Sequence, residues 1–181
     1  SQLSLFGCGN SLCLKWCPVC AQQDLHQYGV SYWHRSHQIP GVTACVFHPV
    51  LLEKLVLARR QRIIAELLPT LIDQPRAAFD IEVQVARFGF KLLQLVTGGI
   101  PHVETALTYR SKLSELGFIT AHHRVRRKTL MEEFCVDIKY YRPGPDIPFP
   151  RHPYDYRYLS QLLNPHTSHH PFRHILFAYW L

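Results

Sequence analysis

The residues best equipped for chemistry are Cys17 and Cys20, followed by Cys45 and His48. Each pair is separated by two residues. A Cys-x-x-Cys turn lets two thiolates converge on one ion, and a Cys-x-x-His turn does the same with a thiolate and an imidazole. Together they offer three sulfurs and one nitrogen, a set that suits a closed tetrahedral zinc site. With all four positions taken by protein, no place is left for water, so the expected role is structural rather than catalytic. The competing readings are a redox pair and small buried hydrophobes. A redox pair expects Cys-x-x-Cys at the start of a helix that follows a strand. Here Pro18 stands inside the pair, and the sequence shows no clear strand before it. Cys8 and Cys13 lie close by, but their five-residue offset fits no knuckle. Either could replace a ligand; the expectation is that both are core or surface thiols.

The stretch between the pairs must position them. Asp24 to Tyr28 reads as a short helix that Gly29 ends. Pro40-Gly41 reads as a tight turn, with Gly41 free to take a positive φ. Tyr32, Trp33 and Phe47 are expected to pack against the knuckles, because a small metal module lacks a large core of its own. His37 has three readings: a hydrogen bond to a metal ligand, replacement of His48 as a ligand, or anchorage of its loop to the backbone. Arg35 is either a salt-bridge partner within the module or a contact to a phosphate or partner.

These residues resemble a known family. The pattern is Lys-Trp-Cys-Pro-x-Cys, then Tyr-Gly-x-x-Tyr-Trp, then Arg-x-His-Gln-x-Pro-Gly-Val, then Cys-x-x-His. It is matched by Trp16 to Cys20, Tyr28 and Gly29, Tyr32 and Trp33, Arg35 to Val42, and Cys45 to His48. It is similar to the zinc-binding region of the TnsD/TniQ proteins, which select target sites for certain bacterial transposons. The resemblance covers about the first third of the chain and is looser beyond. It implies one structural Zn2+, double-stranded DNA as a partner, and recruitment of the transposon's AAA+ regulator (TnsC-like). A second branch of the family implies an adaptor that docks on an RNA-guided CRISPR effector complex and reads no DNA sequence itself. The implied location is the bacterial cytoplasm, with the nucleoid.

The 181 residues suffice for one domain or two small ones, and an apolar fraction of 47% supports a packed core. A net charge of +7 and a pI near 9.2 favour an anionic partner, most simply nucleic acid, beside the plainer reading of a basic soluble surface. No apolar run approaches the roughly 18 residues of a membrane span, and no secretory leader is evident. Six cysteines, three of them at metal spacing with His48, point to a reducing compartment rather than a disulfide framework. The abrupt start and the apolar end at Trp180-Leu181 suggest a fragment of a longer protein.

Beyond the module, Leu52, Leu55, Val56, Arg59, Ile63, Leu67 and Leu68 fall at helical steps, closed by Pro69. Arg59, Arg60 and Arg62 would form a solvated basic face on that helix. A second helix is predicted over Asp80 to Val96, with Val83, Val85, Phe88, Leu92, Leu93 and Leu95 as its apolar positions, ended by Thr97-Gly98-Gly99. Ala106, Leu107, Tyr109, Leu113 and Leu116 mark a third, broken by Gly117. A basic loop follows. Arg127 then opens a helix with Leu130, Phe134, Ile138 and Tyr141 on one face.

That order resembles a helix-turn-helix, in which Arg124, Arg126, Arg127 and Lys128 would meet phosphates or base edges. A helical hairpin with a basic corner is the alternative. The family resemblance favours DNA: Tyr109, Arg110, Leu113 and Gly117 match its Tyr-Arg-x-x-Leu-x-x-x-Gly pattern, and Arg110 joins the expected nucleic-acid contacts. Five prolines between 143 and 153 predict a stiff connector. Tyr156 to Leu163 reads as a short helix, and Ile175 to Leu181 as the start of another. His166, His169 and His170 offer a second metal site, unsupported by any cysteine or carboxylate pattern.

The expected fold is mainly α: a small Cys3His zinc-knuckle module, then a helical region with a helix-turn-helix-like domain. The expected division is 1–52 for the zinc module, 53–100 for a helical region, 101–142 for DNA binding, and 143–181 for the Pro-rich connector and the start of a further helical region. No P-loop, no Gly-x-Ser-x-Gly elbow and no paired carboxylates appear. Cys135 falls on the apolar face of a helix, as a buried structural cysteine does. Catalysis is not expected.

Overall fold

The computed structural model describes residues 12–57, 67–98, 105–144, 147–164 and 170–181. Arg59, Arg60 and Arg62, together with Cys8, His166 and His169, lie outside them. The described residues hold six α-helices and one two-stranded sheet: β1 Leu12–Trp16, α1 Pro18–Tyr28, β2 Glu53–Leu57, α2 Asp80–Thr97, α3 Thr105–Glu115, α4 Arg127–Asp137, α5 Tyr156–Leu162 and α6 Pro171–Trp180. A 3₁₀ turn over Arg35–Gln38 stands between α1 and β2. Two units divide the chain: Ser1–Leu93 with Arg142–Ile147, and Gln94–Tyr141 with Pro148–Leu181.

In the first unit, β1 and β2 pair antiparallel, from Leu12 against Leu57 to Trp16 against Glu53. The helix expected from Leu52 is therefore corrected: Glu53–Leu57 is a strand. Lys54 and Val56 face solvent while Glu53 and Leu55 are half-buried, so the segment alternates with the period of a sheet. Apolar residues three and four apart satisfy a helical template there too, and the partner strand decides between them. α1 is longer than expected. It starts at Pro18, whose missing N–H costs nothing in the first turn, and ends at Gly29 in the left-handed region with φ 74°. Gly41 also has positive φ, 77°, as its turn requires.

The segment before α2 docks on the loop that carries Cys45 and His48. Leu51 N donates to Arg76 O at 2.8 Å, and Ala78 N donates to Pro49 O at 3.0 Å. Glu82, in the first turn of α2, is buried; its carboxylate accepts from Phe79 N at 2.9 Å and from Thr43 Oγ1 at 3.3 Å. Val83, Val85 and Ala86 are buried beside it, while Leu95 is exposed. Arg142 returns to this unit, its guanidinium 5.5 Å from the Phe79 ring centroid.

The second unit is built on aromatic side chains. Leu130, Phe134, Ile138 and Tyr141 are buried along α4 and the turn after it, on the face that their spacing sets. Phe134 meets Phe177 and Trp180 edge to face at 5.7 and 5.4 Å, and Tyr141 stacks on Phe172 at 5.4 Å. α6 begins four residues earlier than expected, at Pro171, with the ring nitrogen of His170 accepting from Phe172 N. No helix among the described residues is long and apolar enough to cross a membrane.

Candidate metal centre

Three local structures carry the four ligands. Cys17 is the N-cap of α1: its backbone is extended and its Sγ accepts from Cys20 N at 3.5 Å. The helix then turns Cys20 back beside Cys17. Cys45 and His48 sit in a tight reversal, closed by Cys45 N donating to Val50 O at 2.9 Å and by the bridge between Ala44 and Leu51. Phe47 N donates to Cys45 Sγ at 3.5 Å within it.

The ligand atoms of Cys17, Cys20, Cys45 and His48 all lie within 4.8 Å of one another. A tetrahedral ion about 2.3 Å from sulfur and about 2.1 Å from nitrogen sets edges of about 3.8 Å between sulfurs and about 3.6 Å between sulfur and nitrogen. Cys20 Sγ and Cys45 Sγ are 3.7 Å apart. His48 Nδ1 lies 3.6, 3.4 and 3.6 Å from the sulfurs of Cys17, Cys20 and Cys45. The four residues are thus spaced to hold one metal ion. The three cysteines are buried and His48 is partly so.

Burial and crowding set the electrostatics. Hydrogen bonds from Cys17 and then Cys20 hold the Cys45 thiol well below the usual thiol range. Cys20 is driven up by the bonds it makes with Cys17 and then Cys45. Three thiols this close cannot all ionise beside one another without a cation, and a divalent ion supplies the missing charge.

The expectation that no strand precedes Cys17 is corrected: β1 does, and Cys17-Pro-Val-Cys20 opens a helix directly after it. That is the local setting of a redox pair, with the helix N-terminus favouring a thiolate. What separates this site from one is the approach of Cys45 and His48, and the same setting stabilises a thiolate ligand. The aromatic expectation is also corrected. Tyr32 and Phe47 are 44% and 56% exposed. Tyr32 stacks on His34 at 4.3 Å, and Phe47 meets Phe90 of α2 edge to face at 5.9 Å. Trp33 is half-buried against Trp16 and donates Nε1 to Leu67 O at 2.9 Å.

Several positioning residues were not legible as such in the sequence. Lys15 is buried, and its ammonium donates to Ile39 O at 2.7 Å and Val42 O at 2.8 Å, holding both sides of the Pro40-Gly41 turn. Gln38 pairs with the backbone of Lys15 in both directions, accepting from its N at 3.1 Å and donating to its O at 2.6 Å, as a neighbouring strand would. His34 Nε2 lies 2.8 Å from the buried Asp24 carboxylate, tying the 3₁₀ segment to α1. The only signal for these roles was the spacing of Lys15, Gln38 and Gly41 around the ligands. Arg35, between them, is exposed. Cys13 and Cys135 are half-buried thiols, and neither belongs to the cluster. His170 serves as the N-cap of α6.

In the second unit Arg110, Arg124, Arg126, Arg127 and Lys128 are all exposed. Arg110 lies on α3. Gly117, with φ 77°, ends that helix, and a bridge pairs Ile119 with Val125. Thr120 N donates to Arg124 O at 2.9 Å across a tip in which His123 takes a positive φ of 57°. Arg126 caps α4, and Arg127 and Lys128 open it. A small hairpin, rather than a plain turn, therefore joins α3 to α4.

The first unit is thus a two-stranded, helix-bearing module gathered around one cation site. The TniQ family model matches residues 12–52, which begin with β1 and end just past His48, and this agrees with a TnsD/TniQ family protein. No curated protein matches the chain.

Proposed function

We propose that this chain is a DNA-binding adaptor that selects the target site for transposition and is held together by one structural zinc ion on Cys17, Cys20, Cys45 and His48. The observation that carries the reading is a coincidence of two kinds of finding: the TniQ match spans 12–52, and all four converging ligands lie inside it. Zinc is the ion that this donor set favours, because soft thiolates with one imidazole in a tetrahedron select it over hard cations. A Cys3His site keeps no open position, so the adaptor brings no metal-activated water and no catalysis of its own.

The basic residues support the DNA part. None of Arg110, Arg124, Arg126, Arg127 and Lys128 has an ion pair among the described residues. Four of them fall at the hairpin and the start of α4. Farther along, α4 turns Glu132, Glu133 and Asp137 outward to varying degrees, and these repel phosphate. Contact by the hairpin and the first turn, with the helix body held clear, fits that charge layout. In this reading residues 101–142 bind DNA, residues 1–52 form the metal module, and 53–100 and 143–181 are the regions that link and follow them.

The module is the surface for the transposon's AAA+ regulator. Leu25, Tyr28, Val30 and Tyr32 are large exposed apolar or aromatic residues around the end of α1, with Arg35 nearby in sequence. Tyrosine and arginine are the anchor types that protein interfaces favour.

Replacing Arg126, Arg127 and Lys128 together by Ala tests the DNA reading. Duplex affinity should fall, and the slope of log affinity against log salt should flatten by about 0.9 for each phosphate that the variant no longer neutralises. An unchanged affinity with an unchanged slope would remove the start of α4 from the interface.

A further inference from the structure

Among the described residues of the module, His37 is the one titratable side chain at 0% exposure that stands outside the four-ligand set. Its Nε2 lies 3.5 Å from Cys45 Sγ and 3.7 Å from Cys20 Sγ. Its Nδ1 is buried and has no hydrogen-bond partner among the described residues. The 3₁₀ turn over Arg35–Gln38 carries it, with His37 N bonded to His34 O at 3.2 Å. On its other side the His34 ring lies 4.8 Å away, fixed by Asp24.

We infer that His37 is a positioning residue that donates Nε2–H to the thiolates of Cys20 and Cys45 and so sets how tightly and how inertly the metal is held. The inference rests on the metal reading and adds a residue to it. The chemistry fixes the tautomer. A hydrogen on Nδ1 would be a buried donor with no acceptor, which costs more than a bare lone pair in the same place. A hydrogen on Nε2 faces two sulfurs that, as metal ligands, are thiolates and so accept hydrogen bonds. Three thiolates and a divalent ion leave a net negative charge in a buried place, and a donor from outside the ligand set offsets part of it.

The donors are unevenly shared. Among the described residues outside the ligand set's own imidazole and thiols, Cys45 receives Phe47 N and His37, Cys20 receives His37, and Cys17 receives the amide of Cys20. Cys17 is therefore the sulfur that His37 does not shield. Because donation to a thiolate withdraws charge from it, losing His37 should expose Cys20 and Cys45 to electrophiles and leave Cys17 nearly as it was.

The test uses the intact chain loaded with Zn2+ or Co2+. In the wild-type zinc form, long-range 1H–15N NMR of the histidine rings should show His37 with hydrogen on Nε2 and a bare Nδ1. His37→Phe keeps a ring in place and removes the donor. It should still bind one Co2+ per chain with a tetrahedral absorption band, while competition with a chelator shows affinity lower by about 10- to 100-fold, the usual cost of losing such a partner. Alkylation mapped by mass spectrometry should speed up at Cys20 and Cys45 more than at Cys17. His37→Gln, which keeps a side-chain N–H, should recover part of both losses.

Three results would overturn the inference. One is a His37 Nε2 without hydrogen in the zinc form. Another is a Phe variant whose metal affinity and alkylation pattern match wild type. The third is a Phe variant that loses the four-ligand spectrum while His48→Ala keeps it, which would make His37 the ligand. If wild type binds no metal, the metal reading itself fails, a separate outcome from all three. The NMR measurement needs no variant, so a Phe variant that does not fold leaves the question decidable.

Discussion

At the scale of single residues, Lys15 and Gln38 hold the module by bonding its backbone. Lys15 illustrates the energetics. A buried ammonium is tolerated because it meets two carbonyls squarely, those of Ile39 and Val42. Lys15→Met keeps the stem and takes the ammonium away from both carbonyls, leaving Ile39 O with the amide of Val42. The expected loss is about 2 kcal/mol of stability, the scale of a hydrogen bond to a charged group, read as a lower denaturation midpoint with the metal still bound. A variant as stable as wild type would mean that the turn holds without its cation. The same scale shows what the sequence could and could not disclose. Cys17, Cys20, Cys45 and His48 were legible because ligand chemistry demands residue types at fixed spacing. Lys15, Gln38, Asp24 and His34 were not, because backbone carbonyls and amides, the partners of the first two, leave no trace in the sequence.

At the scale of elements, punctuation by glycine and proline was legible, and strand against helix was not. Gly29, Gly41 and Gly117 each occupy the left-handed region at a turn or helix end that the sequence marks. Glu53–Leu57 reads as helix in isolation because a short apolar run fits both periods, and its partner, Leu12–Trp16, lies some 40 residues away in sequence. The strand before Cys17 is hidden for the same reason. Gly29→Ala is a clean probe of the αL cap of α1. An added Cβ meets nothing within 4 Å, so only backbone strain acts. The expected cost is about 1 kcal/mol, with Gly29→Asn costing less, measured by thermal unfolding of the metal-loaded chain. Equal stability of the Ala variant would show that α1 ends without the left-handed residue.

At the scale of the whole molecule, each unit has its own chemical weakness. With a metal ion held, unit one should answer to acid and chelators, because its ligands must be deprotonated to hold a cation and protons compete as pH falls. Unit two answers to alkali. Burial pushes the Tyr109 phenol up to about 12. Its hydroxyl donates to His174 O at 3.4 Å and its ring meets Phe177 edge to face at 5.2 Å. A raised folded-state value means that the protonated phenol is the form that folding favours. Its contribution is whole below pH about 10, where the unfolded phenol titrates, and is lost as pH rises through about 12. Tyr109→Phe should flatten that alkaline loss in near-ultraviolet circular dichroism, and an unchanged profile would place the weakness elsewhere. Four of the five candidate contacts lie at one hairpin and one helix start, a grouping that a count of charges cannot reveal.

The most direct test of the account is the metal content of the purified chain, measured together with its free thiols. About one zinc per chain is expected, lost along with the folded module when Cys17 or Cys45 becomes Ser. No bound metal, with all six cysteines titrating as thiols and the fold intact, would contradict it.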